Sequence, residues 1–329
     1  MSSVPWKVRF TSGVIVLAIS ASVGWATRPD RKAEGMTRTT LISTAAGLAL
    51  PTREPSLEAT HGTEPGPAPV DITGADYPPG LTLDGGTKRR TILFSFDDGP
   101  SRRTTPVLLD LLDRLGIRAL FFVTTESFGR GNPWEREHAA IVREIVDRGH
   151  MIGNHTETHR QLPLLRNAEI DAELHVSERK IEDAIGLRPH LIRPPGGALS
   201  DRVSQILADR GYTTVLWTVY AGDLEVDTAD DVVRTFFRVL KRRERETGDR
   251  GGIVLLHDTQ RHTIEALPRL VDALRRRNCQ LLEDGEELYD IVDDLAYFIP
   301  GHEPSETLDA RQARLEEQTR RECAALALR

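Results

Sequence analysis

The sequence predicts a parallel α/β fold, with a barrel favoured over an open sheet. Three observations carry that expectation. Short apolar runs alternate with stretches at helical spacing from Thr91 onward. Glycines (Gly116, Gly149, Gly186, Gly211) stand where helices need a left-handed closing residue. Polar, chemistry-bearing residues gather at the carboxyl ends of the apolar runs, which is where parallel barrels place their sites.

In chain order, TILFSF (91–96) precedes TTPVLLDLLDRLG (104–116), and ALFFVTT (119–125) precedes REHAAIVREIVDRG (136–149). HMIGNHT (150–156) precedes NAEIDAELHVSERKIEDAIG (167–186), and HLIRPP (190–195) precedes SDRVSQILADRG (200–211). TTVLWTV (213–219) precedes DDVVRTFFRVLKRRERE (230–246), and GGIVLLHD (251–258) precedes HTIEALPRLVDALRRRN (262–278). CQLLED (279–284) reads as a seventh strand. Runs this apolar suit strands buried on both faces. No glycine-rich phosphate loop follows any of them, which counts against nucleotide binding.

The flanks differ. Lys7 and Arg9 precede the uncharged run Phe10 to Ala26, and Arg28, Asp30, Arg31 and Lys32 follow it. Residues 1–35 therefore read as a signal peptide or a membrane anchor, with Met36 as an alternative start followed by a shorter apolar core at Leu41 to Leu50. Either version exports the rest, to a periplasmic, membrane-anchored or secreted location. Residues 36–87 read as a linker, because positions 51–90 hold seven Pro and six Gly and little apolar surface to offset chain entropy. The catalytic domain is expected over 88–290, and 291–329 as a helical extension that packs on the domain or on a partner.

The 329 residues carry 43 Lys plus Arg against 50 Asp plus Glu, a net charge of −7 that argues against a nucleic-acid partner. Cys279 and Cys323 are too few for a zinc cluster; the expectation is two unpaired thiols, with a single bridge as the alternative. Any metal must then sit on His and carboxylate ligands.

Such ligands occur at strand ends. Asp97 and Asp98 close the first strand before Gly99-Pro100, a pair able to divide metal binding and proton transfer between them, although DDGP alone also makes a turn. His155 and His159, four apart after the third strand, can share an ion, and with one Asp they leave a coordination position open. Arg193-Pro194-Pro195-Gly196-Gly197 ends the fourth strand and offers exposed backbone N–H groups. Asp223 follows the fifth strand, and His257 ends the sixth, where a core histidine is the bland alternative.

In that order FSFDDGP, HTETH, RPPGG, a late Asp and LLH resemble the NodB-type polysaccharide deacetylases, carbohydrate esterase family 4, over roughly residues 88–290. The resemblance implies a distorted (β/α)7-type barrel and a divalent metal, zinc first, with Co2+, Ni2+ or Mn2+ accepted by the same ligands. It implies a substrate bearing N-acetyl or O-acetyl groups, such as peptidoglycan, chitin-like oligomers, exopolysaccharide or acetylated xylan. Carried over residue by residue, Asp97 is the base, Asp98, His155 and His159 are metal ligands, and Arg193 orients the base. His257 is the acid, paired with Asp223, and Leu255 lines the acetyl-methyl pocket. Pro195, Gly196 and Leu224 face substrate. Gly196 stands where the family usually has Tyr, and Leu224 where it often has Trp. Those departures keep open a same-fold amidohydrolase acting on a small acyl or formyl amide; a non-catalytic carbohydrate-binding relative is the other alternative.

Overall fold

Why residues 91–97 and 251–257 form the two longest strands follows from their buried, β-branched and aromatic composition. A computed structural model describes residues 71–302 and 304–327; the N-terminal run at 1–35 and the linker up to residue 70 lie outside them. The described residues begin with β1 (Thr82–Leu83), β2 (Gly86–Thr87), β3 (Thr91–Asp97), α1 (Thr105–Leu115), β4 (Leu120–Val123) and α2 (Pro133–Asp147). Next come β5 (Met151–Asn154), α3 (Asn167–Ile185), β6 (Leu191–Ile192), α4 (Asp201–Asp209), β7 (Thr213–Val215) and β8 (Val219–Tyr220). The chain continues through α5 (Ala229–Thr247), β9 (Gly251–His257), α6 (Arg261–Glu283), β10 (Asp290–Ile291) and α7 (Leu308–Ala327).

The sheet runs β1-β7-β6-β5-β4-β3-β9-β2, with β8 also on β9 and β10 also on β3. Every pairing is parallel except β2 with β9. The two ends of this path, β1 and β2, are joined by Asp84 and Gly85, so residues 82–87 bridge β7 to β9 and nearly close the barrel. Leu216 N–H donates to Leu83 O at 2.8 Å and Ile253 N–H to Gly85 O at 3.0 Å across that seam. Residues 71–87 thus belong to the packed unit, although their Pro and Gly content reads as linker. The backbone bonds of the seam depend little on side chains, so hydropathy does not reveal them.

Strand alternation sorts the core. Ile92, Phe94 and Phe96 face the helical layer with Leu108, Leu112 and Leu267, whereas Leu93 faces inward with Phe122, Met151 and Ile253. Val292, Leu295, Phe298 and Ile299 join that inner cluster and fill the amino-terminal end of the barrel. Those residues extend the packed unit past 290. The glycines expected to close helices do so, at φ 68° to 78°.

Two further expectations are corrected. Residues 279–284 are not a strand: Cys279 to Glu283 continue α6, whose buried positions Leu267, Leu270, Leu274, Asn278 and Leu281 keep helical spacing. Cys279 and Cys323 are not free thiols: α7 packs along α6 and brings them into a disulfide with Cα atoms 5.8 Å apart. Sequence spacing says nothing about two helices meeting side by side.

A candidate metal centre at the carboxyl end of the barrel

Alternation also aims the site. Leu93, Ser95 and Asp97 point into the barrel from β3, and Ile253, Leu255 and His257 do so from β9, with Asp97 directly opposite His257 in register. Asp97 is buried, and its Oδ1 accepts from Arg193 Nη1 at 2.6 Å. Arg193 is itself fully buried. It also donates to Ser95 Oγ at 2.8 Å, Val215 O at 2.9 Å and Leu216 O at 3.1 Å, and lies 4.2 Å over the Phe122 ring. A guanidinium held by four acceptors makes this buried ion pair rigid and leaves Asp97 Oδ2 facing the cluster, 3.6 Å from His155 Nε2.

One residue on, Asp98 leaves the strand with φ 71°, a left-handed conformation that turns its carboxylate across the barrel mouth. Its Oδ1 lies 3.4 Å from His155 Nε2 and 3.2 Å from His159 Nε2, and ligand atoms of the three residues sit within 4.8 Å of one another. His159 also has a left-handed backbone, at φ 57°. Asn154 shapes the loop that carries both histidines: its Oδ1 accepts from Thr156 N at 2.7 Å while its amide donates to Ser177 Oγ and Tyr212 OH. His155 Nδ1 donates to Arg193 O at 2.6 Å, which fixes the tautomer and points the Nε2 lone pair at Asp98.

These residues fit a divalent cation. Asp98 Oδ1 is buried without a hydrogen-bond partner, and two imidazoles converge on it. Burial alone would raise the Asp98 pKa, but the His155, His159 and His257 imidazoles hold it down at about 2, so it remains an anionic ligand. Burial and the neighbouring His155 lower the His159 pKa, which favours its neutral, coordinating form.

Across the mouth, His257 Nδ1 donates to Asp223 Oδ1 at 3.0 Å, and its backbone N–H donates to Oδ2 at 2.7 Å. Thr263 Oγ1 adds a bond to the same Oδ2 at 2.7 Å. Burial pulls the His257 pKa down, yet the Asp223 bond and the surrounding carboxylates raise it to about 9. Its Nε2 faces Asp98 Oδ2 at 3.9 Å. Leu255 is buried beside Ser95, and Pro195 is buried too. Gly196 is exposed at φ 65°, and Leu224 is 52% exposed. The expected site residues therefore gather at one end of the barrel, and His159, Gly196 and Leu224 are the exposed ones among them.

Asp258 had no expected role. It is fully buried, accepts from Thr105 Oγ1, and leaves Oδ1 without a partner; burial pushes its carboxyl up to about 7. A Cβ at Gly99 would overlap its carboxylate, so Gly99 is the residue that lets the Asp98 loop rest on Asp258. Thr105 Oγ1 also accepts from Ser101 N at 2.7 Å, tying the loop down further. The only sequence signal was the position beside His257.

A parallel barrel whose mouth holds an Asp/His/His cluster, a guanidinium-bound aspartate and a His–Asp pair brings together the groups that metal-assisted hydrolysis would need. The comparisons narrow it. A family model described as polysaccharide deacetylase matches residues 84–215. A chitin deacetylase of Arthroderma benhamiae is 32% identical over 222 residues, 65% of this chain and 56% of that protein. A peptidoglycan-N-acetylglucosamine deacetylase of Bacillus cereus is 28% identical over 211 residues, 63% of this chain and 92% of the relative. The solved structure of a carbohydrate esterase family 4 pseudoenzyme from Bacillus anthracis superposes with TM-score 0.52 at 25% identity, over 60% of this chain and 65% of that one. Over this domain the chain is similar to the polysaccharide deacetylases. It spans little more than half the length of the Arthroderma relative. The family match ends at residue 215, so it is the geometry that adds Asp223 and His257 to the site.

Proposed function

We propose that this protein removes acetyl groups, N-acetyl first and O-acetyl second, from an acetylated envelope polysaccharide such as peptidoglycan, chitin-like oligomers or exopolysaccharide. The observation that carries the reading is the convergence on Asp98 of His155 and His159 from one side and His257 from the other. Asp98, His155 and His159 would hold the cation, zinc before cobalt, nickel or manganese. When bound, it supplies Lewis acidity at the acetyl carbonyl and lowers the pKa of water.

The chain's own residues do the rest. Asp97, with Oδ1 held by Arg193, takes the proton of the attacking water at Oδ2. The Gly196 N–H stabilises negative charge developing on the carbonyl oxygen. His257, held through Nδ1 by Asp223, donates its Nε2 proton to the departing amine. Leu255 packs on the acetyl methyl group. The open surface at Gly196 and Leu224 replaces aromatic walls with room for a long glycan.

Residues 1–35 would direct export or anchor the chain, and the segment up to residue 70 would act as its tether. The Cys279–Cys323 disulfide supports an oxidising compartment, where such bonds form and persist. The test is acetate release from acetylated peptidoglycan, chito-oligosaccharides, exopolysaccharide and xylan, with each divalent metal and with chelator. Metal-dependent release from at least one glycan is expected. Stoichiometric metal with no acetate from any of them would instead favour a non-catalytic relative, the state of the pseudoenzyme sharing this fold.

A further inference from the structure

On the flank of the barrel, α2, α3 and the loop at 129–130 enclose a cavity of about 220 Å³ that the reaction does not use. Arg136 and Arg143 enter it from α2, seven residues and two turns apart, with Ala139 between them on the same face. Arg130 comes from the loop, and Lys180 and Asp183 from α3. Four cations thus surround one carboxylate in a protein whose net charge is −7.

The cations are not equally committed. Arg130 pairs with Asp183 at 2.7 Å. Lys180 Nζ donates to Thr125 O and Glu157 Oε1, both at 2.8 Å. Arg136 uses Nη1 on Gly131 O at 2.7 Å and keeps its other donors. Arg143 makes no ion pair and no side-chain hydrogen bond among the described residues, yet it lines the cavity. Uncommitted guanidinium donors in a concavity concentrate field and match the paired oxygens of phosphate or carboxylate. The small lining residues Gly129, Ala139 and Ala184 offer no apolar anchor of the kind a peptide partner needs. One lining residue reaches the site loop: Lys180 pairs with Glu157, which lies between His155 and His159.

We propose that this cavity binds an oxyanion, a phosphodiester or a carboxylate, carried by an anionic glycan that runs beside the site. The glycan part rests on the deacetylase reading; the oxyanion site does not. The experiment measures binding rather than turnover, so a failed deacetylase reading would show only as absent acetate release. The full-length protein is titrated at graded NaCl with poly(glycerol phosphate), polygalacturonate, polyglutamate and a neutral chito-oligosaccharide. Proteins compared are the wild type, Arg136→Glu/Arg143→Glu, and Lys241→Glu/Arg276→Glu on the face between α5 and α6. Expected is binding of poly(glycerol phosphate), polygalacturonate or both that weakens with salt. The α2 charge reversal should cut it at least tenfold, and the α5–α6 reversal should change it less than twofold. Retention of only the first polymer assigns a phosphodiester, and of only the second a carboxylate. Absence of binding by both glycan-type polymers at low salt, equal losses in the two reversal variants, or site-dependent retention of polyglutamate alone would each overturn the proposal.

Discussion

The two ends of the barrel are built on opposite principles. At the carboxyl end, Asp98, Thr156 and His159 have left-handed backbones, Asp98 Oδ1 and Asp258 Oδ1 are buried without partners, and like charges crowd together. At the amino end, charged groups are paired. Arg311 donates to both carboxylate oxygens of Asp290, at 2.7 and 3.1 Å, and Arg90 binds Glu286 and the Glu287 carbonyl, both at 2.8 Å. The same end is filled by Val292, Leu295 and Phe298 and covered by a disulfide-tied helix. Among the described residues, left-handed non-glycine backbone and unpaired carboxylate oxygens are kept where chemistry needs them, and the other end supplies the stability that tolerates them.

That contrast makes the largest predicted effect a functional one. Asp98→Ala should abolish metal binding, seen by metal analysis, and reduce acetate release to background. Its thermal midpoint should change little, since a buried, unpaired carboxylate oxygen is removed while Ala keeps a left-handed backbone that Asp tolerates better; a collapse of the fold would break the contrast. Asp97→Asn should keep stoichiometric metal while turnover drops on the order of 10²–10⁴-fold, the usual worth of a positioned base. Normal turnover in that variant would show that another group takes the proton.

Arg193→Ala sits where the two principles meet, because it strands the buried Asp97 carboxylate. Denaturant unfolding should report a loss of about 3–5 kcal/mol, with turnover falling as well. Cys279→Ser should act on the other end alone. The bridge closes a 44-residue separation, and its loss should cost about 2–4 kcal/mol in urea unfolding, with acetate release at 25 °C unchanged.

The most gradual effect concerns His150, buried beside Phe121 just before β5, with Nδ1 accepting from Ala119 N at 3.1 Å. Burial lowers its pKa from 6.5 to about 4. Between those values the unfolded chain binds a proton that the folded chain refuses, so stability should fall as pH drops from 6.5 to about 4. The slope from this group is at most about 1.4 kcal/mol per pH unit. Unfolding free energies of wild type and His150→Gln across that range should differ by this slope; parallel profiles would show that His150 contributes nothing to it.

The unequal legibility of the two ends has the same origin. The carboxyl end was written in local motifs, FDDGP, HTETH and LLH, because strand tips place sequence neighbours in one site. Local spacing determined the alternation of runs and helices, the glycine closures and the placing of Asp98, His155 and His159 at strand ends. Tertiary structure alone decided the seam at 82–87, the plug at 292–299 and the Cys279–Cys323 bridge. Each joins segments through backbone bonds or helix packing that no periodicity records. Only the fold shows Arg193 O fixing the His155 tautomer, or Asp258 resting against Gly99. Composition and spacing select which side chains are available; closing the barrel decides which of them share buried, low-dielectric space, and therefore which can act on one another.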